Sequence, residues 1–232
     1  MLLASSALRN IERTLQLFCM AVLAGSVAWF MLSLGCTRVI PPEKPIPEEI
    51  WQCEQEADDA MKREDYKTAI ILHERLLERQ PTNALALYHI GYAYGRLGNR
   101  SKEVFYYEKA IALGFTQQGV LFNLGMAYGE LNQLEKAIGT LKRAVQTDPD
   151  NADNHFGLAL SYQRSLNDEL AEQEFLKAIS IDPNHTDARL YLSLLYTDMG
   201  ELQKAAEQLR TILDIDPTHQ DAREFLERIE TE

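Results

Sequence analysis

The chain has 232 residues, 46% of them hydrophobic, and a formal net charge of −12, enough material for one or two domains with a real core. Residues 1–47 carry a net +2 and the remainder −14, so the clustered Lys and Arg that polyanion binding needs are missing, and nucleic acid is excluded in favour of basic or apolar partners. Of the three cysteines, Cys19 and Cys36 lie in or beside an apolar N-terminal stretch, which leaves Cys53 alone and excludes a disulfide framework in the rest of the chain.

The first predicted element is one hydrophobic helix. Thr14 to Thr37 contains no charge, and Leu15 to Leu34 is long enough to span a bilayer. Arg9 and Arg13 precede it, so the positive-inside bias keeps the N-terminus cytoplasmic and sends the chain beyond Cys36 across the membrane, to the periplasmic side in a bacterium. The segment ends Leu32-Ser33-Leu34-Gly35-Cys36, which resembles the lipobox of bacterial lipoproteins and implies acylation of Cys36. Ser33 stands where that motif has Leu, and the segment exceeds the usual signal-peptide core, so an uncleaved signal anchor is the alternative. Residues 1–36 are thus a signal peptide or membrane anchor. Residues 37–48 form a linker: Val39 to Pro47 holds four of the eight prolines, a composition that favours extended polyproline II and a spacer of roughly a few tens of ångströms.

The remaining prolines are Pro81, Pro149, Pro183 and Pro217, the last three 34 residues apart and the first two separated by twice that. The missing member falls at Phe115. A fixed period of this size predicts a helical array, with repeats at 50–83, 84–117, 118–151, 152–185 and 186–219 and a cap at 219–231. Small residues hold the eighth place of each repeat (Ala57, Gly91, Gly125, Ala159, Ser193), and the eleventh is Ala60, Tyr94, Tyr128, Tyr162 and Tyr196. Ala69, Ala137, Ala171 and Ala205 share the twentieth place, where Glu103 breaks the series, and Ala110, Ala144 and Ala178 share the twenty-seventh. Small against large at two helix contacts per repeat suits ridges-into-grooves packing. Gly98 and Gly200 mark turns within hairpins, and Asp148-Pro149, Asp182-Pro183 and Asp216-Pro217 end second helices. The first repeat matches least: Trp51, Glu56, His73 and Leu76 depart from the pattern.

This pattern resembles the tetratricopeptide repeat over residues 50 to about 219. The resemblance implies an all-α, right-handed superhelical solenoid of about five helix-turn-helix repeats occupying 49–232, closed by a C-terminal capping helix. It also implies a concave surface lined by the first helix of each repeat: Tyr88, His89 and Tyr92; Phe122, Asn123 and Met126; Phe156, Leu160, Gln163 and Arg164; Leu190, Tyr191 and Leu194. The ninth-place residues Tyr92, Met126, Leu160 and Leu194 form an apolar stripe there, and an exposed apolar stripe marks a partner site. The Lys-and-Asn carboxylate clamp of some relatives is absent, since Asp58, Met126 or Leu160 occupies places where it would need Asn and Asn123 stands alone.

No catalytic motif is present. His73-Glu74 lacks a second zinc-protease His, and His89, His155, His185 and His219 have no Cys or carboxylate at ligand spacing. Cys53 has no His beside it in sequence, so it reads as a core residue. There is no phosphate-cradling or nucleophile-elbow glycine pattern. Asn99-Arg100-Ser101 and Asn184-His185-Thr186 match the glycosylation acceptor but fall at turns, where Asn is favoured. The expectation is a non-enzymatic, cofactor-free and metal-free adaptor, tethered to the membrane outside the cytoplasm, whose groove holds an apolar or basic segment of a protein partner. The alternative is a signal-anchored subunit of a permanent envelope complex.

Overall fold

The computed structural model describes residues 53–117 and 119–231. The anchor, the lipidation candidate Cys36 and the linker lie outside these residues. Among the described residues there are eleven α-helices and no strand: α1 Gln55–Lys62, α2 Tyr66–Arg79, α3 Ala84–Arg96, α4 Arg100–Ala112, α5 Val120–Glu130, α6 Leu134–Thr147, α7 Ala152–Arg164, α8 Asp168–Ile181, α9 Thr186–Asp198, α10 Leu202–Ile215 and α11 Gln220–Thr231. None of them is long and apolar enough to cross a membrane. Each odd helix packs on the even helix after it, each even helix packs on the next odd one, and α11 covers the end of α10. Successive first helices also touch, α5 with α7 and α7 with α9, which crowds them onto one inner side.

One backbone device turns the chain in all five hairpins. Glu64, Gly98, Asn132, Leu166 and Gly200 share the fifteenth place and all adopt the left-handed conformation, with φ between 57 and 78°. The N–H after each of them donates to the carbonyl five residues back: Asp65 to Ala60, Asn99 to Tyr94, Gln133 to Tyr128, Asn167 to Tyr162 and Glu201 to Tyr196, at 2.8–3.0 Å. This is the Schellman closure of a helix end. Glycine supplies the conformation in only two hairpins; elsewhere the packing of the hairpin imposes it on residues with a Cβ. The helices after the first two of these turns start on side-chain caps, with Asp65 accepting from the Thr68 N–H and Asn99 from that of Lys102. Asn99 is thereby occupied as a helix cap.

The core is a line of clusters rather than a centre. In the second and third repeats the first-helix glycine faces the large residue at the twenty-fourth place of the same repeat. A Cβ on Gly91 would stand 2.8 Å from the Tyr107 ring, and one on Gly125 would overlap Leu141. Tyr107, Leu141, Phe175 and Leu209 are all but fully enclosed. At Glu103, the break in the alanine series, Gly95 leaves room for the carboxylate, which pairs with Arg100 at 2.8 Å. The missing proline has an equally specific replacement. Phe115 is fully buried, its ring 5.0 Å from that of Tyr88, and Gly114 (φ 89°) before it redirects the chain. An apolar anchor thus does what the Asp-Pro corner does in the third to fifth repeats.

Candidate partner-binding groove

The first helices present their ninth places inward as a half-buried stripe of Tyr92, Met126, Leu160 and Leu194. Between α5, α7 and α9 the stripe opens into a pocket of about 240 Å³. Met126, Leu160, Gln163, Arg164 and Tyr191 line it with Gly129, Glu130 and Ser161. The Arg164 guanidinium lies over α5 at Gly129, 3.7 Å from where a Cβ would stand, an ordinary contact distance. Glu130 is drawn to Arg100 on its other side, so the pocket has an apolar floor and a rim with one charge of each sign.

The other residues expected on this surface are divided between packing and lining. Tyr88 is buried: its ring stacks on Tyr107 at 5.6 Å, and its hydroxyl accepts from Asn123 Nδ2 at 3.3 Å. It is a core residue, because the enclosed Phe115 needs a flat partner. Tyr92 accepts a hydrogen bond from Arg96 (3.0 Å) and meets Tyr66 edge-on. Phe122 is half-buried over Gly157 and borders a second hollow of about 230 Å³ between α5 and α6, reaching Asn154. Phe156 packs on His185 and Tyr191, at 5.0 and 5.6 Å between ring centroids. Leu190 packs towards the cap with Leu226 and Ile229.

His89 has a different setting. Its Nδ1 lies 3.5 Å from Cys53 Sγ and 3.6 Å from Asp58 Oδ1, and its ring is 4.9 Å from that of His73. The reading of Cys53 as a thiol without a histidine nearby is therefore corrected: α3 carries His89 to it from 36 residues away. Burial and the Asp58 carboxylate push the Cys53 thiol up to about 12, while burial holds His73 down to about 4 and lowers His89. Short-range ligand spacing missed this grouping because its two histidines come from different helices, His73 from α2 and His89 from α3 of the next repeat. The usable signal was vertical: His73 occupies the twenty-fourth place, where every other repeat has a large, mainly apolar residue.

An array of antiparallel helix pairs with a shared period and a half-open inner face defines a helical-repeat solenoid. Within that class the family is plain, because models described as TPR or tetratricopeptide repeats match residues 84–113, 125–165, 152–185 and 169–229. The chain carries tetratricopeptide repeats. Similar solved structures include YrrB, described as a TPR protein with an unusual peptide-binding site (24% identity, 72% of this chain and 87% of that one, TM-score 0.63). They also include MamA of Desulfovibrio magneticus RS-1 (18%, 71% and 93%, 0.67) and a thermophilic TPR protein of Thermus thermophilus (23%, 80% and 99%, 0.61). At these identities the likeness is one of fold. No curated protein matches the chain.

Proposed function

We propose that this chain is a membrane-tethered adaptor in the cell envelope that holds an apolar segment of a partner protein, flanked by basic residues, along the inner face of its repeats. The observation that carries this reading is the pocket between α5, α7 and α9, where Met126, Leu160 and Tyr191 leave apolar surface uncovered. A pocket of this kind takes an apolar anchor of a bound helix or strand, and burying such anchors dominates peptide affinity. The net charge of −12 favours basic flanks on the occupant. The tether rests on the uncharged segment before Cys36 and on the Gly35-Cys36 pair. The mechanism is positional and needs no reacting group: an anchor, a proline-rich spacer and a cradle.

A photo-crosslinking residue at Leu160 in the native membrane should yield one adduct, to a partner segment with an apolar core. Met126→Ala with Tyr191→Ala should abolish the adduct while leaving the helical circular dichroism intact. If the adduct survives the double substitution, the groove is not the binding surface. Fatty-acid labelling and processing that are unchanged in Cys36→Ser would eliminate Cys36 as the lipidation site and favour the uncleaved anchor as the tether.

A further inference from the structure

Cys53, Asp58, His73 and His89 bring one potential ligand atom each to within 4.8 Å of one another. We propose that these four side chains form a structural site for a single zinc-class divalent ion, which locks the first repeat onto the second. The inference is independent of the tether and of the groove.

The polar atoms of this cluster are poorly satisfied without a cation. His73 is fully buried, yet neither ring nitrogen has a hydrogen-bond partner, and the buried Asp58 Oδ1 has none either. Leaving such groups unpaired costs free energy, and a shared cation engages all of them at once. The donor set of one thiolate, two imidazoles and one carboxylate suits a borderline-soft, tetrahedral ion and excludes magnesium or calcium, which require oxygen. The spacing suits it as well. Metal–ligand bonds of about 2.0–2.3 Å set ligand atoms about 3.3–3.8 Å apart around a tetrahedral ion, and the Cys53–His89 and Asp58–His89 separations are already 3.5 and 3.6 Å. Four protein ligands close the coordination sphere, which makes the site structural rather than catalytic.

Comparison with the other repeats shows that the grouping is not a by-product of the fold. The same four places, namely the fourth, ninth and twenty-fourth of one repeat and the sixth of the next, hold Leu87, Tyr92, Tyr107 and Asn123 in the second repeat. In the third they hold Leu121, Met126, Leu141 and Gly157, and a Cβ on Gly157 would fall 3.1–3.2 Å from Leu141 and Met126. These places therefore converge in the array generally and are filled by packing residues. Only in the first repeat do all four become metal-ligating types. The ion would bridge the N-terminal end of α1, the body of α2 and α3, where the chain enters the solenoid. Binding would displace the Cys53 proton, since the thiolate is the ligand.

The test uses the full chain in detergent, stripped with a chelator and titrated with zinc(II) or cobalt(II). The wild type should retain one zinc per chain after dialysis, raise its melting temperature with zinc, and show tetrahedral cobalt d–d bands with a thiolate-to-cobalt charge-transfer band. Cys53→Ser should abolish the charge-transfer band, which separates this site from Cys19 and Cys36. His73→Leu restores the side chain found at the twenty-fourth place of the third and fifth repeats. It should keep the helical circular dichroism and weaken zinc binding by more than about 100-fold, beyond the effect of an outer-shell change. Sub-stoichiometric zinc, an octahedral cobalt spectrum or unchanged binding by His73→Leu would overturn the proposal.

Discussion

The eleventh-place tyrosines show what single residues contribute beyond apolar burial. Tyr128 donates its hydroxyl to Glu108 and Tyr196 to Glu172, each acceptor lying on the preceding repeat. Lys102, Lys136 and Lys204 lie over the rings of Tyr94, Tyr128 and Tyr196, always eight residues on, and Lys142 covers Tyr162, where Leu170 has replaced the lysine. Tyr128 and Tyr196 are thus bracketed by opposite charges. Burial, reinforced by the glutamate partners, raises the Tyr128 and Tyr196 pKa above the usual 10. A folded-state pKa above the unfolded one gives stability that is present below pH 10 and lost as pH rises beyond it. Denaturant melts should therefore show stability falling on the alkaline side of pH 10, and Tyr128→Phe with Tyr196→Phe should flatten that fall. An unchanged alkaline slope would mean the hydroxyls contribute nothing through their protons. The tyrosine column was legible in the sequence as packing, whereas its charge bracket was not, because the partners lie on other helices.

At the scale of elements, the turns explain how far periodicity can be trusted. Gly98 and Gly200 announced two hairpin turns; Glu64, Asn132 and Leu166 hold the same left-handed backbone without announcing it. Such a conformation costs a side-chain-bearing residue about 1–2 kcal/mol, and Leu166 is also 87% exposed. Leu166→Gly should stabilise the chain by about 0.5–1 kcal/mol, the strain relieved less the added backbone entropy of glycine. Chemical denaturation would read this directly, and a loss of stability would show that the leucine makes a contact worth more than its strain. The helix pairs and their Asp-Pro stops could be read from spacing because both depend on local chemistry. The corner at Phe115 could not, since its stability comes from a ring packed at a tilt against Tyr88 across a helix pair. The groove was legible to the same extent: the ninth-place stripe follows from helical register, but the burial of Tyr88 and the diversion of His89 to Cys53 depend on neighbours in other repeats.

For the whole molecule, stability is a chain of nearest-neighbour interfaces, so the ends matter disproportionately. At the C-terminal end Ala222, Phe225, Leu226 and Ile229 cover Leu209 and Ile212. Deleting residues 220–232 should lower the melting temperature and promote binding of a hydrophobic dye. Hydrogen exchange should quicken in α9 and α10 while α3 to α6 keep their protection. Uniform acceleration along the array would instead mean that the solenoid opens as one cooperative unit.

The backward reach of Tyr196 to Glu172 limits how this chain can be rearranged. A hairpin looks like an interchangeable cassette, yet excising residues 152–185 would seat Tyr196 against the residue one period earlier, Ile138, and strand its hydroxyl. The heritable module is therefore out of phase with the visible one: it runs from the acceptor on one second helix to the tyrosine on the next first helix. Lengthening or shortening such an array would succeed only at seams that keep donor and acceptor in the same fragment.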